Sequence, residues 1–288
     1  MNPLQLEIRE LAAWSFDHEA DRGLVSGAHL RQVALEARRS LADRKPYVSE
    51  SPILAEETRR ASALLAARAE WVAASGEFEG LDWELAIVDL SRIIAFQRRV
   101  GFESGERIDI GRMATLDDLL DFALPVTRPS SSICISASTD GSRLTIRTRS
   151  PNLAPRFSVV SDHGSNHDID CVRLLALTGS PYMEVASYCD RWFLRDGYHR
   201  SFRLLRQGIR YTPAVVVRAK TMTQLGAVTS KFFAQDVLFS ERPPMVTDFL
   251  EEGLSMRYFR QDRERVFRIS IEEQPAPVFS GGREQESL

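Results

Sequence analysis

The chain has 288 residues, of which 43% are hydrophobic and 27% charged, and its formal net charge at pH 7 is −3. These values are typical of a soluble globular protein with one large domain or two modest ones. They exclude a membrane-spanning helix, because no apolar run approaches about 20 residues, and give no global argument for nucleic-acid binding. The first residues lack the apolar core of a secretory signal, so we expect a cytoplasmic protein.

The N-terminal region, residues 1–80, is predicted to be helical. Residues 30–41 and 55–74 are rich in alanine, leucine, glutamate and arginine, which are strong helix formers. In the second stretch apolar residues recur on one stripe, interrupted only by Arg68. No reacting group stands out there, so we interpret the region either as a helical subdomain or as a face that binds a protein partner or a second copy in a homodimer.

Residues 81–273 are predicted to form an α+β core. Alternation of apolar and polar residues on both sides of Asp140-Gly141 indicates a hairpin over residues 131–150, because Asp-Gly is a preferred turn pair. Strands are also predicted at 83–90, 157–160, 183–188 and 192–195, and a final strand or hairpin at 257–273. Helices are predicted at 91–100, 115–122, 222–239 and 245–254, and a helical turn at 171–177. Residues 274–288 contain two prolines and two glycines and are predicted to be a disordered tail.

The segment from 191 to 217 carries the strongest functional signal. It predicts a strand, an Asp196-Gly197 turn, a helix from Tyr198, a stop at Gly208 and a second strand. At such a helix start, backbone N–H groups and the helix dipole favour an anion. His199 and Arg200 add positive charge in the first turn, where the dipole opposes it unless an anion joins them.

Periodicity divides this helix into two faces. Residues at i, i+4, i+7 and i+11 predict a buried stripe, formed by Tyr198, Phe202, Leu205 and Ile209. The neighbouring positions form a basic face, made of His199, Arg203, Arg206 and Arg210. That face is either simply solvated or binds phosphate, and Asp196 is either a turn residue of the site or a helix cap that pairs with an arginine.

This segment resembles the ParB/sulfiredoxin-like superfamily. Its members carry a short box ending in His/Arg-Arg between a strand and a helix, and then a Gly-Ile-x-x-x-Pro-x-Val strand. The matching residues here are Asp196, Gly197, Tyr198, His199 and Arg200, followed by Gly208, Ile209, Pro213 and Val215. The resemblance implies a ParB/sulfiredoxin-like mixed sheet with helices, preceded by the helical N-terminal region. It also implies that the box binds nucleotide phosphates, of CTP in partitioning proteins and of ATP or ADP in sulfiredoxin and free-serine kinases.

The chain departs from the family in three places. Tyr198 stands where sulfiredoxin has its cysteine, which argues against sulfinic-acid repair. The second signature helix and the helix-turn-helix of partitioning proteins have no counterpart after Val217. Kinase-like members place an acidic residue near the nucleotide, and Glu184 and Asp170 are the candidates that this resemblance implies.

A second cluster of polar residues falls at 161–170. Imidazoles with carboxylates are adequate ligands for a divalent ion, and His163, His167, Asp168 and Asp170 are the candidates. The alternative is a polar loop that hydrogen-bonds its own backbone. If the loop folds over the box, His167 is placed to act as a base.

Two functions are therefore predicted. The first is binding of a nucleoside triphosphate, CTP or ATP, with Mg²⁺, by a phosphotransferase or NTP hydrolase. It uses Asp196, Gly197, Tyr198, His199, Arg200 and Arg203 as nucleotide contacts and His199, Glu184 and His167 as catalytic groups. The alternative is a non-catalytic DNA-binding or protein-interaction module that uses Arg195, Arg203, Arg206 and Arg210.

Overall fold

The computed structural model describes most of the chain: residues 5–14, 26–103, 115–127, 133–148, 154–162, 169–177, 180–226, 232–262 and 264–272, with the backbone alone for 154–162 and 169–177. The strands of these residues are β1 (Gln5–Leu11), β2 (Trp83–Asp89), β3 (Ile94–Ala95), β4 (Arg99–Glu103), β5 (Ile133–Ala137), β6 (Arg143–Thr148), β7 (Ala154–Asp162), β8 (Ile169–Leu177), β9 (Glu184–Tyr188), β10 (Arg191–Asp196), β11 (Tyr211–Arg218), β12 (Ser255–Gln261) and β13 (Arg265–Ser270). Their α-helices are α1 (Gly27–Ala42), α2 (Ala55–Arg60), α3 (Ser62–Ala74), α4 (Leu116–Ala123), α5 (Tyr198–Arg206), α6 (Met222–Leu225) and α7 (Gln235–Leu238). The predicted α+β class is confirmed.

Contacts divide the chain into two compact units. The first contains Met1–Ser130 and Leu177–Asp262, and the second contains Ser131–Ala176 and Arg263–Leu288. This division differs from a boundary at residue 80, because the first unit joins the N-terminal helices to the sheet that carries α5.

A five-stranded mixed sheet forms the centre of the first unit, in the order β2-β11-β9-β10-β3. β11 pairs antiparallel with β2 and parallel with β9, and β9 pairs antiparallel with β10. Six consecutive residues of β11, from Thr212 to Val217, are buried. Such an unbroken buried run shows that both faces of this central strand are covered.

The N-terminal region also contains a strand, which the prediction of a purely helical region missed. β1 is the middle strand of a three-stranded sheet in the order β12-β1-β4. Its pairing with β12, more than 240 residues later, runs from Gln5 with Gln261 to Leu11 with Ser255. Pairing at that sequence separation leaves no local signal, so the prediction from composition did not find it.

The second unit contains the predicted hairpin, which is confirmed. β5 and β6 pair antiparallel around Asp140 and Gly141, and Gly141 has φ +70°. β13 pairs with the other edge of β6, and β7 pairs with β8 as a separate two-stranded sheet. Residues 171–177, predicted as a helical turn, lie in β8, so that prediction was wrong. A short apolar run fits a buried strand as well as a helix.

Three further helix predictions were wrong in kind or in extent. Residues 91–100 form the end of a 3-10 turn (Leu90–Arg92), β3 and the start of β4. The described residues of 222–239 form the two short helices α6 and α7, and residues 245–254 contain a 3-10 turn at Val246–Phe249. Helix α4, by contrast, is confirmed together with its cap, because Thr115 and Asp118 form a reciprocal capping box. The tail at 274–288 lies outside the described residues.

No helix among the described residues is long and apolar enough to cross a membrane.

Candidate functional site

The start of α5 is built on Gly197. This residue has φ +94°, and a Cβ added to it would lie 3.1 Å from Cγ and 3.2 Å from Cα of Met183. Only glycine fits without strain where a positive φ and a close backbone approach coincide. The Asp196 carboxylate accepts a hydrogen bond from the Gly197 N–H (2.5 Å), and α5 has no side-chain cap. Asp196 is thus a turn residue and does not cap the helix.

Tyr198 lies in the core. Its hydroxyl donates to the Leu194 carbonyl (2.6 Å) and accepts from the amides of Phe96 (2.5 Å) and Gln97 (3.2 Å). Burial raises the pKa of Tyr198, so the phenol stays protonated. The side chain predicted to contact a nucleotide therefore ties the helix start to β10 and to the end of β3.

Arg200 also points inward. Its guanidinium donates to the carbonyls of Pro181 and Tyr182, the latter at 2.7 Å. Burial lowers its pKa, while Asp196 and Glu184 act in the opposite direction and favour the charged form. Arg200 therefore holds the segment that leads into β9.

Glu184, one of the two acidic candidates, lies beside the box. It is the cross-strand partner of Asp196, is only 3% exposed, and accepts from Arg195 Nη1 at 2.9 Å. Burial raises the pKa of Glu184 to about 7, although the positive charge of Arg195 acts against this. Burial likewise raises the pKa of Asp196.

The protein supplies its own anions to the cations at this helix start. Glu77, Glu184 and Asp196 all act electrostatically on Arg200. Sequence reasoning missed Glu77, which follows α3 and lies more than 100 residues before the box, so no local pattern connects the two. The electrostatic cost of placing a cation at the positive end of the helix dipole is thus offset by acidic side chains of the protein itself.

His199 and Arg203 occupy the outer side of α5. His199 is exposed, and its ring lies edge-on to Phe102 with centroids 5.6 Å apart at 78°. Phe102 in turn stacks on Phe202 at 4.4 Å. Arg203 is half-buried one turn further along. These two side chains, unlike that of Arg200, stand on the solvent side of the first two turns.

The four arginines predicted to bind DNA do not form one open row. Arg195 pairs with Glu184, and Arg210 forms two hydrogen bonds of 2.7 Å to the buried carboxylate of Asp89. Burial alone would raise the pKa of Asp89, yet the bonds from Arg210 and Ser91 hold it below its ordinary value. Arg206 is exposed at the end of α5.

The structure describes little of the predicted metal ligands. His163, His167 and Asp168 lie outside the described residues, and Asp170 lies in β8 of the second unit, where only the backbone is described. In the part of the chain that the structure describes, no group of three or more His, Cys, Asp or Glu side chains is placed to hold a metal ion.

A cleft of about 420 Å³ lies elsewhere in the first unit, between α1, α7 and the residues that follow α7. It is lined by Trp14, Arg38, Leu41, Ala42, Asp236, Val237, Ser240, Glu241 and Arg242. No residue of the box lines it, and its charges are mixed, which gives no indication of a ligand class.

No family model, no curated protein and no solved structure matches this chain. The fold and the site define a class of protein: a mixed α+β protein in which a strand (β10), a glycine with positive φ (Gly197) and a helix without a side-chain cap (α5) follow one another. Acidic and arginine side chains lie close together at this helix start.

Proposed function

We propose that the first unit is a ParB/sulfiredoxin-like nucleotide-binding core and that it binds the phosphates of CTP or ATP, with Mg²⁺, at the start of α5. One observation carries the proposal. Helix α5 begins at a left-handed glycine without a side-chain cap, and His199 is exposed on its first turn. Backbone N–H groups at such a helix start are suited to phosphate oxygens.

The residues in and next to the box are proposed to have two different roles, either to contact phosphate or to hold the helix start in place. His199 and Arg203 are the proposed side-chain contacts to phosphate, because His199 is exposed and Arg203 is only half-buried, and the first-turn amides are proposed to bind phosphate oxygens beside them. Gly197 and Arg200 are proposed to hold the helix start in place. Gly197 permits the close approach of the backbone to Met183, and Arg200 donates to two backbone carbonyls. Mg²⁺ is proposed to arrive with the triphosphate.

A phosphotransferase or NTP hydrolase also needs a proton acceptor, and Glu184 is the candidate that the fold supports best. A general base works best when its pKa lies near the operating pH. Burial raises the pKa of Glu184 to about 7. Its carboxylate is paired with Arg195 and only 3% exposed, so turnover by this group requires that the nucleotide open a path to it.

Isothermal titration with CTP, ATP and ADP, each with Mg²⁺, tests binding. We expect His199→Ala and Arg203→Ala each to weaken binding by about tenfold, the loss typical of one charge-assisted contact. Arg206→Ala is the matched control, because Arg206 is an exposed arginine at the far end of the same helix. No binding by the wild type, or equal binding by wild type and His199→Ala, would sink the proposal.

DNA binding through the basic residues receives less support. Arg195 and Arg210 already pair with buried carboxylates, so phosphate contacts by them would take a positively charged partner away from each acid. A mobility-shift titration at two salt concentrations separates the alternatives, because binding through phosphates weakens steeply with salt.

A further inference from the structure

Helix α3 has an unusual distribution of apolar residues. Only two of its thirteen residues are charged, and only Leu65 and Val72 are buried. A helix that is apolar on all sides is normally covered on all sides. Here Leu64 is 40% exposed and Trp71 58% exposed. An apolar face of α3 therefore lies open in the first unit.

The open residues follow a regular spacing. Leu64, Ala67, Trp71 and Ala74 are all exposed and are separated by three, four and three positions. This is the a/d spacing of a coiled-coil seam, and we name these four residues the α3 seam. On one side of it Arg68 turns away, donating to Asp121 at 2.7 Å and to a backbone carbonyl of the same unit.

The residue sizes along the α3 seam fit a second copy in antiparallel orientation. In that orientation a and d positions face each other, so Leu64 meets Ala74 of the second copy and Trp71 meets its Ala67. Each layer then combines a large with a small side chain, which lets the layers interdigitate. A parallel pair would instead set tryptophan against tryptophan and leave alanine facing alanine.

The charges at the ends of α3 favour the same orientation. The helix has no acidic residue in its first turn and no basic residue in its last turn, so its dipole is not compensated by its own terminal turns. Antiparallel pairing places the negative end of one dipole beside the positive end of the other. Arg60, which precedes α3, then faces the carboxyl end of the second copy's helix; its side chain is 72% exposed and lies 3.1 Å from the Glu56 carboxylate of its own chain.

We propose that two copies of this chain pair through the α3 seam about a two-fold axis level with Ala69. The seam is self-complementary, as an isologous dimer contact must be. A helix of this length spans only about 20 Å. We expect the contact of one such helix to bury less than the roughly 800 Å² per partner of a standard interface, and the dimer to dissociate in about the micromolar range. This proposal is independent of nucleotide binding.

Sedimentation velocity of the full chain from about 1 to about 300 µM measures the association. We expect a concentration-dependent monomer–dimer equilibrium that Trp71→Glu weakens at least about tenfold, because it places a charge in each of two apolar layers. Leu35→Glu is the matched control, since Leu35 is 46% exposed on α1. Glu70→Ala strengthens the dimer, because the two Glu70 side chains lie close to the axis and repel each other. Far-UV circular dichroism checks that each variant is folded.

Thiol cross-linking tests the orientation in a background where Cys134, Cys171 and Cys189 are replaced by serine. Leu64→Cys and Ala74→Cys are mixed and treated with a short bifunctional thiol reagent. We expect cross-linked dimers from the mixture and none from either variant alone. A monomer at every concentration, a Trp71→Glu variant that associates like the wild type, or cross-linking of Leu64→Cys with itself overturns the proposal.

Discussion

Replacing Tyr198 by phenylalanine removes one oxygen atom from the centre of the first unit. The ring remains and keeps its edge contact with Phe249, whose centroid is 6.4 Å away. The change deletes the bond to the Leu194 carbonyl and leaves the amides of Phe96 and Gln97 without their shared acceptor. The perturbation is therefore confined to hydrogen bonding.

The cost follows from the number of buried groups affected. A lost hydrogen bond costs about 1 kcal/mol, and a buried donor left without a partner costs about 1–3 kcal/mol. Two short bonds and one longer bond are lost, so we expect the free energy of unfolding to fall by about 2–4 kcal/mol. Urea unfolding followed by far-UV circular dichroism measures this value, provided that the slope of the transition is unchanged.

Tyr211→Phe serves as the control, because Tyr211 is 47% exposed. Its substitution should stay within about 0.5 kcal/mol of the wild type. If Tyr198→Phe also stays within that margin, the hydroxyl does not anchor the helix start and the account of the box as a rigid frame fails.

Three further predictions concern the same unit. Gly197→Ala should destabilise the fold by more than Gly208→Ala in thermal melts, because both residues have positive φ but only the first is crowded, and a strained φ costs about 1–3 kcal/mol. Burial raises the pKa of Glu184 from its ordinary 4.5 to about 7, so the folded state binds a proton more tightly than the unfolded state. The stability that this contributes is present below about pH 4.5 and is lost as the pH rises through 7. Glu184→Gln should reduce that pH-dependent loss, and an unchanged pH profile of urea midpoints would contradict the assignment. Arg210→Ala should lower the free energy of unfolding by about 1–2 kcal/mol, because it leaves the buried Asp89 with fewer partners while Arg210 itself is half-exposed. In a background that carries Asp89→Asn, the same Arg210→Ala change should cost much less, and urea unfolding of the two single variants and the double variant measures the difference.

The local patterns of the chain predicted the elements whose stabilising contacts are also local. The Thr115 cap and the Asp140-Gly141 turn lie within four residues of the structure that they specify, and both are confirmed. Helix α5 was placed by a periodic stripe of buried residues, of which Tyr198 and Phe202 are fully in the core. In each case, interactions between residues close in sequence were sufficient to predict the element.

Elements that depend on distant partners were not predicted. Strand β1 depends on a partner more than 240 residues away, and β3 consists of two residues that pair with β10 across about 100 positions. The run at 171–177 has a composition that suits either a helix or a strand, and pairing with β7 decides it. At the site, the same limit hid Glu77 and the contact between Phe102 and His199.

The positions of His199 and Arg200 in the first turn of α5 decide which substitution tests the box. The sequence placed His199 and Arg200 together as phosphate contacts, because both oppose the helix dipole. The fold separates them: Arg200 donates to two carbonyls above buried acids, while His199 stands exposed beside Phe102. If Arg200→Ala abolished nucleotide binding, the cause could therefore be a displaced helix start as readily as the loss of a direct contact between Arg200 and the nucleotide. The hydrogen bonds described above for Gly197, Tyr198 and Arg200 are made with other residues, so His199→Ala is the more direct test of the proposed phosphate contact.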